Sequence, residues 1–178
     1  MATPERPSLV VEPILNAEPD IGRLLWAIQE ARVRTLEQIE GLTQPVVDWQ
    51  PPDGESSIGS VLYHVALIEA DWLYVEVCEG DIPAEVLAML PHPVRDEQHR
   101  LTHIQGYSVA DYLNQLATVR ELLLDVFRTM SLDEFRRARS FPHCDVSPEW
   151  VILHLMQHEA EHRSQTGGLR IRAERALT

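Results

Sequence analysis

Four long segments of the chain repeat apolar residues at intervals of three and four, the spacing of one face of an α-helix. They span residues 19–41, 57–79, 108–130 and 147–176. Each covers about 22 residues or more, which is about 33 Å of helix at 1.5 Å per residue. No segment alternates apolar and polar residues for long enough to form a sheet. The pattern therefore predicts an all-α protein, a four-helix bundle.

Capping residues and connections support these four helices. Serines begin three of them, at Ser57, Ser108 and Ser147, and Pro148 then occupies a first-turn position where its missing N–H costs nothing. Residues 80–107 form a long connection, which we interpret as a crossover between the second and third helices of the bundle.

Two shorter connections complete the prediction. Residues 43–56 are predicted to be a loop because they contain three prolines and a glycine. A short helix is expected over 83–90, and Ser131 with Glu134 resembles a capping box for one further turn.

Composition narrows the chemistry. The chain has 178 residues, with 28 acidic and 15 basic side chains and a formal net charge of −13, and all the basic side chains are arginines. Without lysine the chain cannot form a Schiff base or supply the lysine of a phosphate-binding loop. The acidic balance argues against nucleic acids and anionic membranes as partners.

Length and apolar runs indicate the class of protein. We expect one domain over 1–178, with an extended N-terminal arm over 1–17. The first residues lack the apolar run of a signal peptide, and no segment approaches the ~20 continuous apolar residues of a membrane span. Two cysteines, Cys78 and Cys144, are too few for a disulfide framework. A cytoplasmic protein is the expectation.

Histidines lie on the apolar faces of two predicted helices. At about 100° per residue, His158 and His162 fall in the middle of the apolar stripe of the last helix, and His154 lies at its edge. His64 lies within the stripe of the second helix. The opposite side of the last helix carries charged residues and is predicted to face water: Glu149, Glu159, Arg163, Arg170 and Glu174.

A shared cation would explain three of these histidines together. A single buried histidine is usually a satisfied core residue, which is the alternative for His64 alone. A pair at i and i+4 places two rings on one face, where they can chelate an ion, and a facing helix can add the third nitrogen. Three neutral ligands leave coordination positions open for water or substrate. Asp71 or Glu161 could orient the rings.

The other histidines are expected to be bystanders. His99 and His103 are also four apart, with His92 before them, but they lie in a proline-flanked loop and are predicted to be at the surface. His143 and Cys144 precede the last helix and could approach the site from its rim, although exposed loop positions are the simpler interpretation.

These residues resemble a known family, the DinB superfamily of small metal-binding four-helix bundles. The first part of the resemblance comprises Trp49, Pro52, Ser57-Ile58-Gly59, His64-Val65-Ala66, Glu69 and Trp72. The second part is His158-Glu159-Ala160-Glu161-His162-Arg163-x-Gln165. Where the family usually has glycine between Arg163 and Gln165, this chain has Ser164.

The resemblance implies a single divalent ion, often nickel or zinc, held by His64, His158 and His162. Members are commonly homodimers, and Ile152 and Met156, predicted to face outward from the last helix, would suit a partner contact. Characterised relatives include transferases and isomerases that use low-molecular-weight thiols, in which the metal activates the thiol.

The leading hypothesis is therefore a metal-dependent enzyme of the thiol-transferase type, acting on a small-molecule substrate. Three arginines before the last helix are candidates for binding the carboxylates of a thiol, with surface ion pairs as the alternative: Arg136, Arg137 and Arg139. Metal-bound water would instead make the protein a hydrolase. A third hypothesis is a non-catalytic, metal-binding stress-response bundle.

Overall fold

A computed structural model describes residues 9–15 and 18–178, so most of the predicted arm over 1–17 lies outside the described residues. The all-α fold class is confirmed. The four longest helical segments are α1 (Pro19–Ile39), α3 (Ile58–Asp71) with its continuation, α5 (Val109–Arg128) and α7 (Pro148–Ala176). Their bounds lie within a few residues of those predicted, because the apolar spacing that predicts them is a local property.

The second predicted helix changes type partway along its length. After Asp71 the chain continues as a π-helical segment, Trp72–Val77, which ends where Cys78 N–H donates to Leu73 O at 3.0 Å. The wider turn alters which side chains follow α3 onto the same face. Such turns are frequent at functional sites.

The helices pack in pairs. α1 lies against α7 and α3 against α5, while α3 also contacts α7 and α1 also contacts α5. The approach of α3 to α5 is close at Gly59, where a Cβ atom would lie 2.6 Å from Tyr112 Oη. A larger residue at Gly59 would push these helices apart.

Serine caps begin three of these helices as predicted. Ser57 and Ser147 accept hydrogen bonds from the backbone N–H three residues on, and Ser108 forms a full capping box with Asp111. Each cap satisfies a backbone donor that would otherwise lack a partner.

The connections contain elements that the sequence patterns do not predict. The loop predicted over 43–56 begins with a short helix, α2 (Gln44–Asp48). The expected short helices are present as α4 (Ala84–Met89) and α6 (Leu132–Arg136). The prediction that no sheet forms is wrong on a small scale.

A two-stranded antiparallel sheet precedes α7. Its strands are β1 (Arg139–Phe141) and β2 (Cys144–Val146), in which Phe141 pairs with Cys144. Three residues a strand is too short for alternation to be recognised in the sequence.

Two apolar clusters fill the interior. One contains Val61, Leu116 and Leu169, and the other contains Ile28, Leu123 and Leu155. Each of the four long helices carries one buried charged residue where its contacts change from one cluster to the other: Arg32, Glu69, Arg120 and Glu159. We call these four side chains the charged layer.

Among the described residues, one helical stretch, residues 58–77, is long and apolar enough to cross a membrane by length and mean composition alone. Most of this stretch is buried within the protein, however, as for a core helix. Its apolar character is therefore accounted for by packing against α5 and α7.

Two predictions about the faces of α7 are wrong. Ile152 is completely buried rather than outward, so it is not available for a partner contact, and Met156 is half-buried. Glu159, predicted to face water, is 2% exposed. The reason is that α7 is covered on more than one side, by α1 as well as by α3, so the face opposite the histidines is also interior.

Candidate metal centre

Three imidazoles meet between α3 and α7. One ring nitrogen from each of His64, His158 and His162 lies within 4.8 Å of the other two. Nε2 of His64 and Nε2 of His158 are 3.0 Å apart. The rings of His158 and His162 are almost perpendicular, as are those of His64 and His162. The helical i, i+4 spacing and the facing helix thus bring together the three histidines that the sequence analysis selected.

Burial keeps two of these rings neutral. Burial, with smaller contributions from the charges of His162 and Arg95, lowers the pKa of His64 to about 4. Burial also lowers the pKa of His158 to about 3, with His162, His64 and His154 adding to the effect. Both imidazoles therefore keep a lone pair available for a cation at neutral pH.

Gln165 orients the third ring. Its Oε1 lies 2.9 Å from Nδ1 of His162, and because an amide oxygen only accepts, Nδ1 carries the proton and Nε2 carries the lone pair. Gln165 Nε2 in turn donates to Glu55 Oε1 at 3.3 Å. Asp71 and Glu161, suggested from the sequence, make no hydrogen bond to the three rings, so the orienting group is an amide one helical turn beyond His162.

The donor set fits a divalent cation. A tetrahedral ion with bonds of 2.0–2.1 Å holds its nitrogen ligands about 3.3 Å apart, close to the 3.0 Å between the His64 and His158 nitrogens, and the His162 nitrogen lies within 4.8 Å of both. His64 Nδ1 is buried without a hydrogen-bond partner in the described part of the chain. Imidazole nitrogens suit zinc and nickel, whereas carboxylate and carbonyl oxygens suit magnesium and calcium.

The three rings form the floor of an open cavity of about 450 Å³. Its walls come from α3, from the long connection before α5 and from α7. Apolar and aromatic side chains supply much of the lining, including Ile68, Trp72, Val94 and Leu101. A small molecule could therefore reach the histidines directly.

His154 lies on the wall of this cavity and outside the three-histidine cluster. Its ring stacks on Trp150, with an interplanar angle of 8°, and packs against Trp72 at 4.8 Å between centroids. Burial lowers its pKa. The position at the edge of the stripe, predicted from the helical spacing, thus corresponds to an aromatic contact at the rim.

The remaining histidines and Cys144 are surface residues. His92, His99 and His103 are exposed on the connection between α4 and α5, as predicted. His143 and Cys144 are exposed at the hairpin and do not line the cavity.

The arginines before α7 are held in ion pairs, which was the alternative interpretation of that cluster. Arg136 pairs with Asp20 at 2.9 Å, and Arg137 and Arg139 both pair with Glu134. None of the three lines the histidine cavity.

The charged layer connects all four long helices beside the centre. Arg32 of α1 donates to Glu159 at 2.6 Å and to Glu69 at 2.8 Å, and Arg120 of α5 donates to both of the same carboxylates. Further arginine hydrogens bond backbone carbonyls, Leu116 O from Arg32 and Ile28 O from Arg120, and Arg120 also donates to Gln29 Oε1. Two positive and two negative charges therefore satisfy each other away from water.

The layer shapes the ionisation of its members. Burial alone would raise the pKa of Glu159, but the charges and hydrogen bonds of Arg32 and Arg120 hold this pKa below its usual value. Burial likewise opposes the rise in the pKa of Arg120 that Glu69 and Glu159 produce. This network is not visible in the sequence, because its partners are distant along the chain, 127 residues for Arg32 and Glu159.

Comparison with known proteins gives one family. A family model described as the DinB superfamily matches residues 27–166, a range that includes all three histidines and all four residues of the charged layer. No curated protein matches the chain. The match confirms the resemblance drawn from the sequence motifs.

Proposed function

The chain belongs to the DinB superfamily, and from this premise we propose that it is a metal-dependent enzyme in which His64, His158 and His162 hold a divalent ion that activates a small thiol. The observation that carries the proposal is the convergence of three imidazoles at the floor of an open cavity. Three protein ligands leave coordination positions open, as catalytic metal sites require and closed structural sites do not.

The proposed ion is zinc or nickel. When bound, such an ion would act as a Lewis acid that lowers the pKa of a small thiol, and the thiolate would form a C–S bond with an electrophilic carbon as the leaving group departs with the bonding electron pair. His64 and His158 present neutral nitrogens, and Gln165 keeps the proton of His162 on Nδ1. Ile68, Trp72 and Leu101 supply apolar surface beside the ligand atoms, against which the carbon atoms of a substrate can pack.

Metal content tests the first part of the proposal. Protein purified without an affinity tag should contain about one equivalent of zinc or nickel by mass spectrometry. His64→Ala, His158→Ala and His162→Ala should each lose most of the ion, whereas His154→Ala, on the same wall but outside the cluster, should retain it. Equal metal content in all four variants would contradict the assignment of ligands.

Thiol dependence tests the second part. With an aryl halide as electrophile and cysteine as thiol, the metal-loaded protein should show a rate that saturates with thiol concentration. Metal-dependent hydrolysis of a chromogenic ester without any thiol would instead support activated water. A protein that binds metal but catalyses neither reaction would support the non-catalytic alternative.

A homodimer and a cytoplasmic location remain part of the proposal. The dimer contact is not assigned to Ile152, which is buried within the protomer. Light scattering of the purified protein would measure the mass in solution and decide between monomer and dimer.

A further inference from the structure

The lining of the histidine cavity has an unusual charge for this protein. No carboxylate contributes to the lining, and Arg95 is its one permanently charged side chain among the described residues. The chain as a whole carries −13. A divalent ion on the three histidines would make the cavity more positive still, so the site favours ligands that are anionic.

Arg95 is held at the cavity by a local backbone structure. It pairs with Leu101 in an isolated antiparallel bridge, and Asp96 N–H donates to Arg100 O at 2.9 Å within the same turn. The guanidinium donates through Nη1 to the carbonyl of His99 at 2.9 Å. This leaves most of its five N–H groups free to bind a ligand.

The neighbouring acids are already engaged. Asp96 accepts from the N–H groups of Gln98 and Arg100 and pairs with the Arg100 guanidinium. Glu55, which approaches the cavity through Gln165, pairs with Arg172 at 2.6 Å. Across residues 9–15 and 18–178 Arg95 makes no ion pair, whereas most other arginines there do.

Arg95 also lies in the same cavity as the three imidazoles. Both Arg95 and the three imidazoles line the same cavity of about 450 Å³, with Leu101 and Val94 beside them. A small molecule can therefore meet the guanidinium and the histidine floor at the same time.

We propose that Arg95 is the specificity-determining residue of this site and binds a carboxylate of the small molecule that reaches the three-histidine centre. The inference rests on the proposed function, because it assigns the ligand of the same cavity. Arginine suits this role because its planar guanidinium can bind a carboxylate through two parallel hydrogen bonds. The apolar side chains of the wall contact the carbon chain between the carboxylate and the reacting group.

Two thiols of equal length test the proposal. The probes are 3-mercaptopropionate and 3-mercaptopropan-1-ol, which differ in carboxylate against hydroxyl, and their binding to zinc-loaded protein is measured by calorimetry. The wild-type protein should prefer the carboxylate by about tenfold, as a charge-assisted hydrogen bond predicts. Arg95→Gln should reduce the preference to about onefold, and Arg95→Lys should keep part of it because its charge remains.

A matched control separates local from general electrostatics. Arg175→Gln removes the same charge from an exposed position near the end of α7 that does not line the cavity, so its preference should equal that of wild type. A preference that persists in Arg95→Gln, or falls equally in Arg175→Gln, would overturn the inference.

Zinc binding by wild type and Arg95→Gln is titrated first, without thiol. Absence of zinc binding in wild type contradicts the proposed function alone. The two thiols are then compared on the metal-free protein. A wild-type preference for 3-mercaptopropionate that disappears in Arg95→Gln supports the role of Arg95. Equal binding of the two thiols by wild type overturns it. Normal zinc binding with equal affinity for both thiols overturns the inference and leaves the metal site standing.

Discussion

His158 and Glu159 are consecutive residues of α7, and their side chains enter two different polar assemblies. The His158 ring faces His64 with 3.0 Å between the Nε2 atoms, whereas the Glu159 carboxylate accepts hydrogen bonds from Arg32 and Arg120. On α3, two residues five positions apart are separated in the same way, since His64 belongs to the histidine cluster and Glu69 accepts a hydrogen bond from Arg32. The candidate centre and the two carboxylates of the charged layer therefore share α3 and α7.

Replacing Glu159 by glutamine should destabilise the protein strongly. The change keeps the size of the side chain but leaves two buried arginines facing one carboxylate, and breaking a buried pair costs about 3–5 kcal/mol. Urea unfolding of the metal-free protein at pH 7, followed by circular dichroism, measures the loss. Glu174→Gln is the control, because Glu174 pairs with Arg170 on the exposed side of the same helix and should cost less than about 1 kcal/mol. A similar loss in both variants would contradict the role of the charged layer.

Replacing Gln165 by leucine should weaken metal binding while leaving all three ligands in place. The change removes the acceptor of the His162 Nδ1 proton, and loss of such an orienting partner typically costs 10–100-fold in metal affinity. Competition with a chromogenic zinc chelator measures the affinity. Ser164→Ala, an exposed neighbour on the same turn, should bind zinc like wild type. Unchanged affinity in Gln165→Leu would show that Gln165 does not orient the ring.

The metal-free protein should lose stability as the pH falls from 7 to 5. The folded-state pKa values of His64 and His158 are about 4 and about 3, below the ordinary value of 6.5, so the unfolded chain binds more protons through this range. Lower pH therefore favours unfolding. The double variant His64→Gln, His158→Gln should show a smaller drop in Tm between pH 7 and pH 5 than wild type. Equal drops would show that these rings are not held neutral by the fold.

Glu76 should have the opposite pH dependence. Burial, with the charge of Asp71 added, raises its pKa from 4.5 to about 7, and its Oε2 atom has no hydrogen-bond partner in the described residues. Between pH 4.5 and about 7 the folded state therefore binds more protons than the unfolded chain. The stabilisation of the folded protein by this proton is lost as the pH rises through the folded-state pKa of about 7. Glu76→Gln should raise Tm relative to wild type by more at pH 8 than at pH 5. Glu85→Gln, an exposed change on α4, should show no such difference.

The helices and the histidine cluster were predictable because both depend on local spacing. Apolar residues spaced three and four apart predict a helix whatever the helix packs against. The i, i+4 relation of His158 and His162 likewise holds in any α-helix. His64 needed one further assumption, that the apolar face of α3 meets that of α7, and the structure places it there. The metal itself rests on the chemistry of these donors.

The charged layer was not predictable by the same reasoning. A helical projection predicts one buried and one solvent-exposed face for α7, but in the structure α1 covers the face that carries Glu159. Recognising a buried ion pair requires the partner, and Arg32 and Arg120 lie 127 and 39 residues away from Glu159. Periodicity carries no information on that scale.

The role of Arg95 was hidden for a related reason. It lies in a connection whose path is set by tertiary hydrogen bonds, such as those from Tyr63 Oη to His92 O and from Ile104 N to Ser60 Oγ. No local pattern in residues 80–107 says which side chains face α3. The π-helical segment after Asp71 was similarly invisible, because its apolar residues are compatible with an ordinary α-helix.

The charged layer has a consequence for how the helices align along their lengths. Apolar side chains tolerate a sliding of one helix past another, because one leucine can replace the next in a core. A shift of one turn, about 5.4 Å, would instead separate Arg32 or Arg120 from its carboxylates and leave a charge unpaired in the interior. The layer thus sets a single register for α1, α3, α5 and α7. The same register keeps the imidazoles of α3 and α7 opposite each other along the helix axes.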